Sequence, residues 1–142
     1  MSDGERDPGR FHLRVGWWTV LVFLAMGIAL EGMHGLKLGF YLDLANATRR
    51  HMWTLSHAHG TLLGLINIAF ALSLRTFGLV EGDDGWLRRA SLALMLATLL
   101  LPGGFALGGI KIYAGDPGLG ALLVPVGGFS LLYAVWLTAR RL

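Results

Sequence analysis

Four long apolar stretches without Asp, Glu, Lys or Arg constrain the fold of this chain more than any other feature. Three of them contain 23, 21 and 23 residues, at Met52–Leu74, Ala90–Ile110 and Pro117–Ala139. A bilayer core of about 30 Å needs about 20 helical residues, so each of these three is long enough to cross a membrane. The first stretch, Val15–Leu30, has only 16 residues, and its helix must continue past Glu31 and His34 to complete a crossing.

The composition argues against a soluble helical bundle. Hydrophobic residues make up 54% of the chain and charged residues 15%, whereas soluble proteins average about 25% charged residues. Four such stretches in 142 residues leave too little polar surface to cover a bundle in water. The chain contains no cysteine, which excludes disulfides, thiolate metal sites and thiol catalysis.

These patterns predict an all-α fold, an integral membrane four-helix bundle built from two helical hairpins. The helices are expected at about 15–38, 51–75, 88–111 and 117–139, within a single domain that covers residues 15–142. Residues 1–14 are polar and of mixed charge. We predict that they form a disordered tail, which is retained because no cleavage site of small residues follows the first apolar stretch.

The basic residues predict the orientation of the helices. One side of the predicted bundle carries eight of them: Arg6, Arg10, Arg14, Arg75, Arg88, Arg89, Arg140 and Arg141. The other side carries four: Lys37, Arg49, Arg50 and Lys111. Because positive residues favour the cytoplasmic side, both termini are expected in the cytoplasm and the protein in the inner (plasma) membrane. The basic residues flank apolar stretches, so the partner that they indicate is the lipid bilayer and not nucleic acid.

Ionisable residues inside the predicted helices gather toward the outer side. Ionisable groups are costly within a membrane and are functional hypotheses by default. Glu31 and His34 are three residues apart and share one helix face. His57 and His59 are two residues apart, which turns them about 200° from each other on a regular helix. We therefore expect His57 and His59 to serve different partners.

Neutral imidazole and carboxylate are common ligands of transition metals. The predicted metal ligands are Glu31, His34, His57 and His59. A purely structural polar cluster without a cofactor remains an open alternative. His12 is assigned to the cytoplasmic tail without a role, and His51 to the membrane interface. The sequence holds no complete catalytic constellation, so it leaves open whether the protein is an enzyme.

The segment Trp53–Leu65, WTLSHAHGTLLGL, resembles the second helix of haem–copper oxidase subunit I. It is more similar still to small four-helix bacterial proteins that carry a His-Ala-His-x-x-Leu-Leu-Gly pattern. The resemblance implies that His59 occupies the position of an axial ligand of low-spin haem, and His57 the first position of the histidine pair. The third and fourth apolar stretches contain no histidine, and the three-histidine copper site of the family is missing. Oxygen reduction by this chain alone is therefore not expected.

The resemblance also suggests how a haem would be held. A second axial ligand has to come from His34, His57 or another subunit. Gly60 and Gly64 offer room for a flat macrocycle, and Arg50 a positive charge for its propionates. The expected function is binding of haem b, or of copper or another transition metal, in or beside respiratory electron transfer. The open alternatives are a copper-handling protein and a cofactor-free structural or accessory subunit. A homo-oligomer or a place in a larger membrane complex is expected.

Overall fold

The computed structural model describes residues 7–42, 47–79 and 84–142, and most of them are helical. The helices are α1 (Pro8–Gly35), the short α2 (Gly39–Leu42), α3 (Ala47–Thr76), α4 (Asp84–Gly108) and α5 (Leu123–Ala139). Helices α1, α3 and α4 are each long and apolar enough to cross a membrane, and so is the segment Leu119–Ala139 that contains α5. The prediction of a mostly helical chain with four such helices is confirmed.

Helix α1 begins at Pro8, so the prediction that residues 8–14 belong to a disordered tail is wrong. The Asp7 carboxylate accepts a hydrogen bond of 2.9 Å from the Gly9 backbone N–H and caps the helix. Proline suits the first helical position because the N–H it lacks would have no partner there. The Asp-Pro pair therefore starts the helix seven residues before the predicted position 15. Residues 1–6 lie outside the described residues.

Asp7 also joins the beginning of α1 to the end of α3. Its carboxylate lies 3.3 Å from the Arg75 guanidinium. Slight burial raises the pKa of Asp7, but hydrogen bonds from the backbone of Arg10 and Gly9 and the charge of Arg75 outweigh it. Together they hold the pKa of the Asp7 carboxyl below its usual value. The fold therefore favours ionised Asp7.

Acidification should weaken this contact between α1 and α3. Because the pKa of Asp7 is lower in the folded state, its contribution is complete above the unfolded-state pKa and is lost as the pH falls through the folded-state pKa. The parent protein should melt slightly above the Asp7→Asn variant at about pH 6, and the difference should shrink as the pH falls below about 4. Melting curves of both proteins measure it. A difference independent of pH would contradict this role for Asp7.

A small hairpin separates α4 from α5. Strands β1 (Ile112–Tyr113) and β2 (Asp116–Pro117) pair antiparallel, with Tyr113 opposite Asp116. Ala114 and Gly115 at the turn have φ of 50° and 93°, the positive values that a two-residue type I′ turn requires. A 3-10 helix at Leu119–Leu122 then leads into α5. The predicted helix over 117–139 is thus α5 preceded by this irregular segment.

The long helices pack in chain order, α1 on α3, α3 on α4 and α4 on α5. Helices α1 and α5 therefore form the edges, and their apolar side chains are largely exposed. Trp18 and Ile28 on α1 are 66% and 75% exposed, and Phe129 on α5 is 73% exposed. Soluble monomers rarely leave large apolar surfaces in water, so these exposed side chains suit a lipid environment. The buried core lies among α3, α4 and α5.

The two ends of the bundle differ in what they carry. The end with the start of α1 and the end of α5 is called here the terminus end; the ion pair of Asp7 with Arg75 lies there. The opposite end, called the hairpin end, carries the connection after α1 and the β1–β2 hairpin. Thr48 at the start of α3 donates a hydrogen bond of 2.6 Å to the Gly115 carbonyl, which brings these two connections together.

Candidate functional site

A groove between α1 and α3 at the hairpin end brings Glu31 and His57 together. Its volume is about 390 Å³. The remaining lining residues are mostly apolar: Leu24, Gly27, Ile28, Leu30, Tyr41 and Thr54. We call it the Glu31–His57 groove. It contains two of the four residues that the sequence predicted as metal ligands.

The orientation of the His57 ring is set by helix α1. Its Nδ1 donates a hydrogen bond of 2.6 Å to the Phe23 backbone carbonyl. A carbonyl can only accept, so Nδ1 carries the proton and the lone pair is on Nε2. The ring lies against Gly27, where an added Cβ would overlap it. A histidine that ligates a metal is commonly oriented by such a bond from its other ring nitrogen.

His59 faces the opposite side of α3. Its Nδ1 donates a hydrogen bond of 2.8 Å to the Leu55 carbonyl one turn earlier in the same helix. The ring centroid lies 4.9 Å from that of Phe105 on α4. His57 thus contacts α1 and His59 contacts α4, which confirms the prediction that they serve different neighbours.

The four predicted metal ligands do not meet in one chain. His34 is exposed near the end of α1, and His59 is turned away from the Glu31–His57 groove. Within residues 7–42, 47–79 and 85–142, no three His, Cys, Asp or Glu side chains lie close enough to hold a metal ion. The physical reason is the rotation of about 100° per helical residue, which separates His57 from His59.

The glycine face of α3 is filled by α1 and leaves no room for a macrocycle, contrary to the expectation for Gly60 and Gly64. A Cβ at Gly60 would overlap the Phe23 ring, and one at Gly64 would lie 2.9 Å from the Gly16 carbonyl oxygen. These glycines let two helix backbones approach closely. The interior face of α3 is therefore a packing surface.

Arg50 supports the groove through the backbone. Its Nη1 donates a hydrogen bond of 2.8 Å to the carbonyl of Tyr41, a residue of the groove wall. The neighbouring Arg49 donates to the carbonyls of Phe40 and Gly109, at 3.2 Å and 3.1 Å. Both arginines thus hold the connections at the hairpin end to α3. The role predicted for Arg50 beside propionates stays a prediction.

The most buried histidine is His12, for which the sequence predicted no role. Its side chain is fully buried, with 0% exposure, between α1, α3 and α4. Its ring nitrogens lie 2.7 Å from Asn67 Oδ1 and 2.7 Å from Ser91 Oγ. Asn67 in turn lies 2.9 Å from Thr98 Oγ1. We call these four residues the His12 network.

The protons of the His12 network can be assigned from its acceptors. Asn67 Nδ2 donates to the Leu63 carbonyl at 2.8 Å, so its Oδ1 must face His12 as an acceptor. His12 Nδ1 therefore donates to Asn67, and Nε2 accepts from the Ser91 hydroxyl. Within the described residues, every buried side-chain nitrogen and oxygen has a hydrogen-bond partner. The network is thus complete with a neutral imidazole.

The sequence contains a signal from which part of this network could have been predicted. Asp7 and Pro8 are a helix-start pair, and they place His12 in the second turn of a helix. The helix was predicted to begin at residue 15, with the first long apolar stretch, so this start signal and His12 were left outside it. Asn67 lies within an apolar stretch, and its partner depends on how α1 packs.

Comparison of the chain with known protein families, with curated proteins and with solved structures found no match. These comparisons do not show a resemblance to haem–copper oxidase subunit I, which stays a prediction from the segment Trp53–Leu65.

Proposed function

We propose that this chain is a multi-pass membrane protein that binds haem b or a transition metal at the Glu31–His57 groove, in or beside respiratory electron transfer. One observation carries the proposal. The Phe23 carbonyl holds His57 Nδ1–H, which leaves the Nε2 lone pair for a ligand bond in a groove that also contains a carboxylate.

The membrane is supported by four apolar helices and by the exposed apolar sides of α1 and α5. The excess of arginine at the terminus end supports cytoplasmic termini in the inner (plasma) membrane. The Glu31–His57 groove then lies toward the outer side. In that position, an electron donor or acceptor outside the membrane could approach the groove.

The residues present fit part of a cofactor site. His57 supplies one oriented imidazole, and Leu24, Ile28 and Leu30 supply apolar walls suited to a macrocycle. Haem iron would supply one-electron redox chemistry. The second axial position needs a donor from outside the groove. A four-coordinate metal likewise needs two ligands besides Glu31 and His57. A second copy of the chain would complete either set, which links the cofactor to the expected homo-oligomer.

The absorbance spectrum of detergent-purified protein tests this proposal. Protein made with ample haem should show a Soret band at about 400 nm that shifts on reduction with dithionite. His57→Ala should abolish the band, because it removes the only oriented imidazole of the groove among the described residues. A colourless parent should instead be assayed for bound metal, which His57→Ala should also remove.

His59→Ala is the matched control for His57→Ala. Both positions are half-buried histidines of α3, and both donate Nδ1–H to a backbone carbonyl. His59→Ala should keep the cofactor, and circular dichroism should show equal helix content in both variants. Loss of the cofactor in His59→Ala with retention in His57→Ala would move the site to the α4 side.

A cofactor-free structural or accessory subunit is the second candidate. It is favoured by the close packing of Gly60 and Gly64 against α1 and by the backbone partners of His57 and His59, which a helix bundle can use for packing alone. The parent protein would then carry neither haem nor stoichiometric metal. His57→Ala would change only the stability of the α1–α3 contact.

A further inference from the structure

A basic cavity lined by aromatic rings opens between α4 and α5 at the terminus end. Its volume is about 620 Å³. Its lining contains three arginines, three aromatic residues and one leucine: Trp86, Arg89, Tyr133, Trp136, Leu137, Arg140 and Arg141. No acidic residue is among them. We call it the arginine–tryptophan cavity.

Aromatic rings hold the two terminal arginines in place. The guanidinium carbon of Arg140 lies 4.6 Å from the centroid of Trp136, and that of Arg141 lies 5.5 Å from the centroid of Trp86. Trp136 is itself stacked on Tyr133, with centroids 6.0 Å apart. Contact with a ring restricts an arginine side chain while its N–H donors can still bind oxygen. The cavity is therefore partly ordered before a ligand arrives.

Among residues 7–42, 47–79 and 85–142, no carboxylate balances the positive charge of the cavity. The ion pair found there joins Arg75 to Asp7, and Arg89, Arg140 and Arg141 have no carboxylate partner among these residues. Arg89 Nε donates to the Gly85 carbonyl at 3.0 Å, which carries no charge. Three guanidinium groups around one cavity match the oxygens of a phosphate group.

We infer that the arginine–tryptophan cavity binds the phosphodiester headgroup of an anionic phospholipid from the cytoplasmic leaflet. Basic pockets between transmembrane helices at the cytoplasmic side suit such headgroups, and Trp and Tyr suit the interface between headgroups and acyl chains. The exposed apolar side of α5, with Phe129 at 73% and Leu132 at 66%, continues from the cavity toward the bilayer centre. This surface can accept the acyl chains, which a free phosphate lacks. The inference rests on the proposed membrane placement and is independent of the cofactor.

Lipid titration of the purified full chain tests the inference. The protein in dodecyl maltoside micelles is titrated with phosphatidylglycerol, and its melting temperature gives the apparent affinity. The parent should be stabilised by phosphatidylglycerol and much less by phosphatidylcholine, which is zwitterionic. Each arginine near an anionic surface strengthens binding by about fivefold, so the double variant Arg140→Gln/Arg141→Gln should bind roughly 25-fold more weakly.

Arg88→Gln is the matched control. Arg88 precedes Arg89 on α4, is exposed and does not line the cavity. It should keep the parent affinity, whereas Arg89→Gln should weaken it about fivefold. The inference is overturned if Arg140→Gln/Arg141→Gln binds phosphatidylglycerol like the parent, or if Arg88→Gln loses as much affinity as Arg89→Gln. It is also overturned if phosphatidylcholine or inorganic phosphate at equal concentration stabilises the parent as strongly.

Discussion

His12→Ala should destabilise the protein by about 2–4 kcal/mol. The change removes a fully buried ring and leaves a cavity between α1, α3 and α4. It also leaves Asn67 Oδ1 without its donor and the Ser91 hydroxyl without its acceptor. Hydrogen bonds between membrane helices contribute less on average, about 0.6 kcal/mol each, so most of the loss comes from the cavity. Unfolding in detergent micelles, followed by circular dichroism, measures it.

His34→Ala is the control for this prediction. His34 lies on the same helix but is exposed, so the same truncation should change stability by no more than about 0.5 kcal/mol. A double-mutant cycle isolates the bond to Asn67. Asn67→Ala combined with His12→Ala should cost less than the sum of the single changes, because each already breaks that bond. Equal stability of His12→Ala and His34→Ala would show that the His12 network does not hold the helices together.

Gly64→Ala should destabilise the α1–α3 contact by about 1–3 kcal/mol. The added Cβ would lie 2.9 Å from the Gly16 carbonyl oxygen and 2.7 Å from a methyl group of Val20. The Val20 side chain can rotate, but the backbone oxygen can move only if α1 shifts away from α3. That shift would also strain the bond from His57 to the Phe23 carbonyl, since His57 lies on the same interface. Unfolding in detergent micelles, followed by circular dichroism, measures this loss of stability.

Gly128→Ala tests whether space, and not glycine itself, is responsible. Apart from its chain neighbours and the adjacent backbone of α5 itself, no atom lies within 4 Å of a Cβ built at Gly128. Alanine has a higher helix propensity than glycine, so Gly128→Ala should be neutral or stabilising by up to about 1 kcal/mol. If Gly64→Ala and Gly128→Ala were equally stable, the close approach of α1 and α3 would not matter for stability.

Helix boundaries were predicted less well than helix number, and the reason differs at each site. The start of α1 depends on a cap by Asp7, which is a local signal that lies outside the apolar stretch. The end of α4 and the start of α5 depend on the β1–β2 hairpin, whose positive φ at Ala114 is an unusual conformation for alanine. Pro102 lies inside α4, where its carbonyl accepts a bond of 2.8 Å from Ser56. Pro125 lies in the first turn of α5, where proline is tolerated.

The prediction that four residues form one set of metal ligands was only partly right, because only Glu31 and His57 line the same groove. The spacing of His57 and His59 required opposite directions on α3, and the structure agrees. The rotation of each helix about its axis decides which of the two histidines faces α1. The sequence does not indicate that rotation directly. Gly27 leaves space for the His57 ring. Nothing in the sequence distinguishes it from the other glycines of the chain.

The amino-acid sequence alone specified the helical class and the four long apolar helices. These features follow from the length and polarity of each stretch, which are local sums along the chain. The tertiary structure decided which polar groups lie near one another: Glu31 and His57 line one groove, His12 bonds to Asn67, and three arginines line one cavity. Each of these meetings requires residues far apart in the chain to face one another. That depends on helix rotation and on close contacts at glycine, and both are set only when the helices pack.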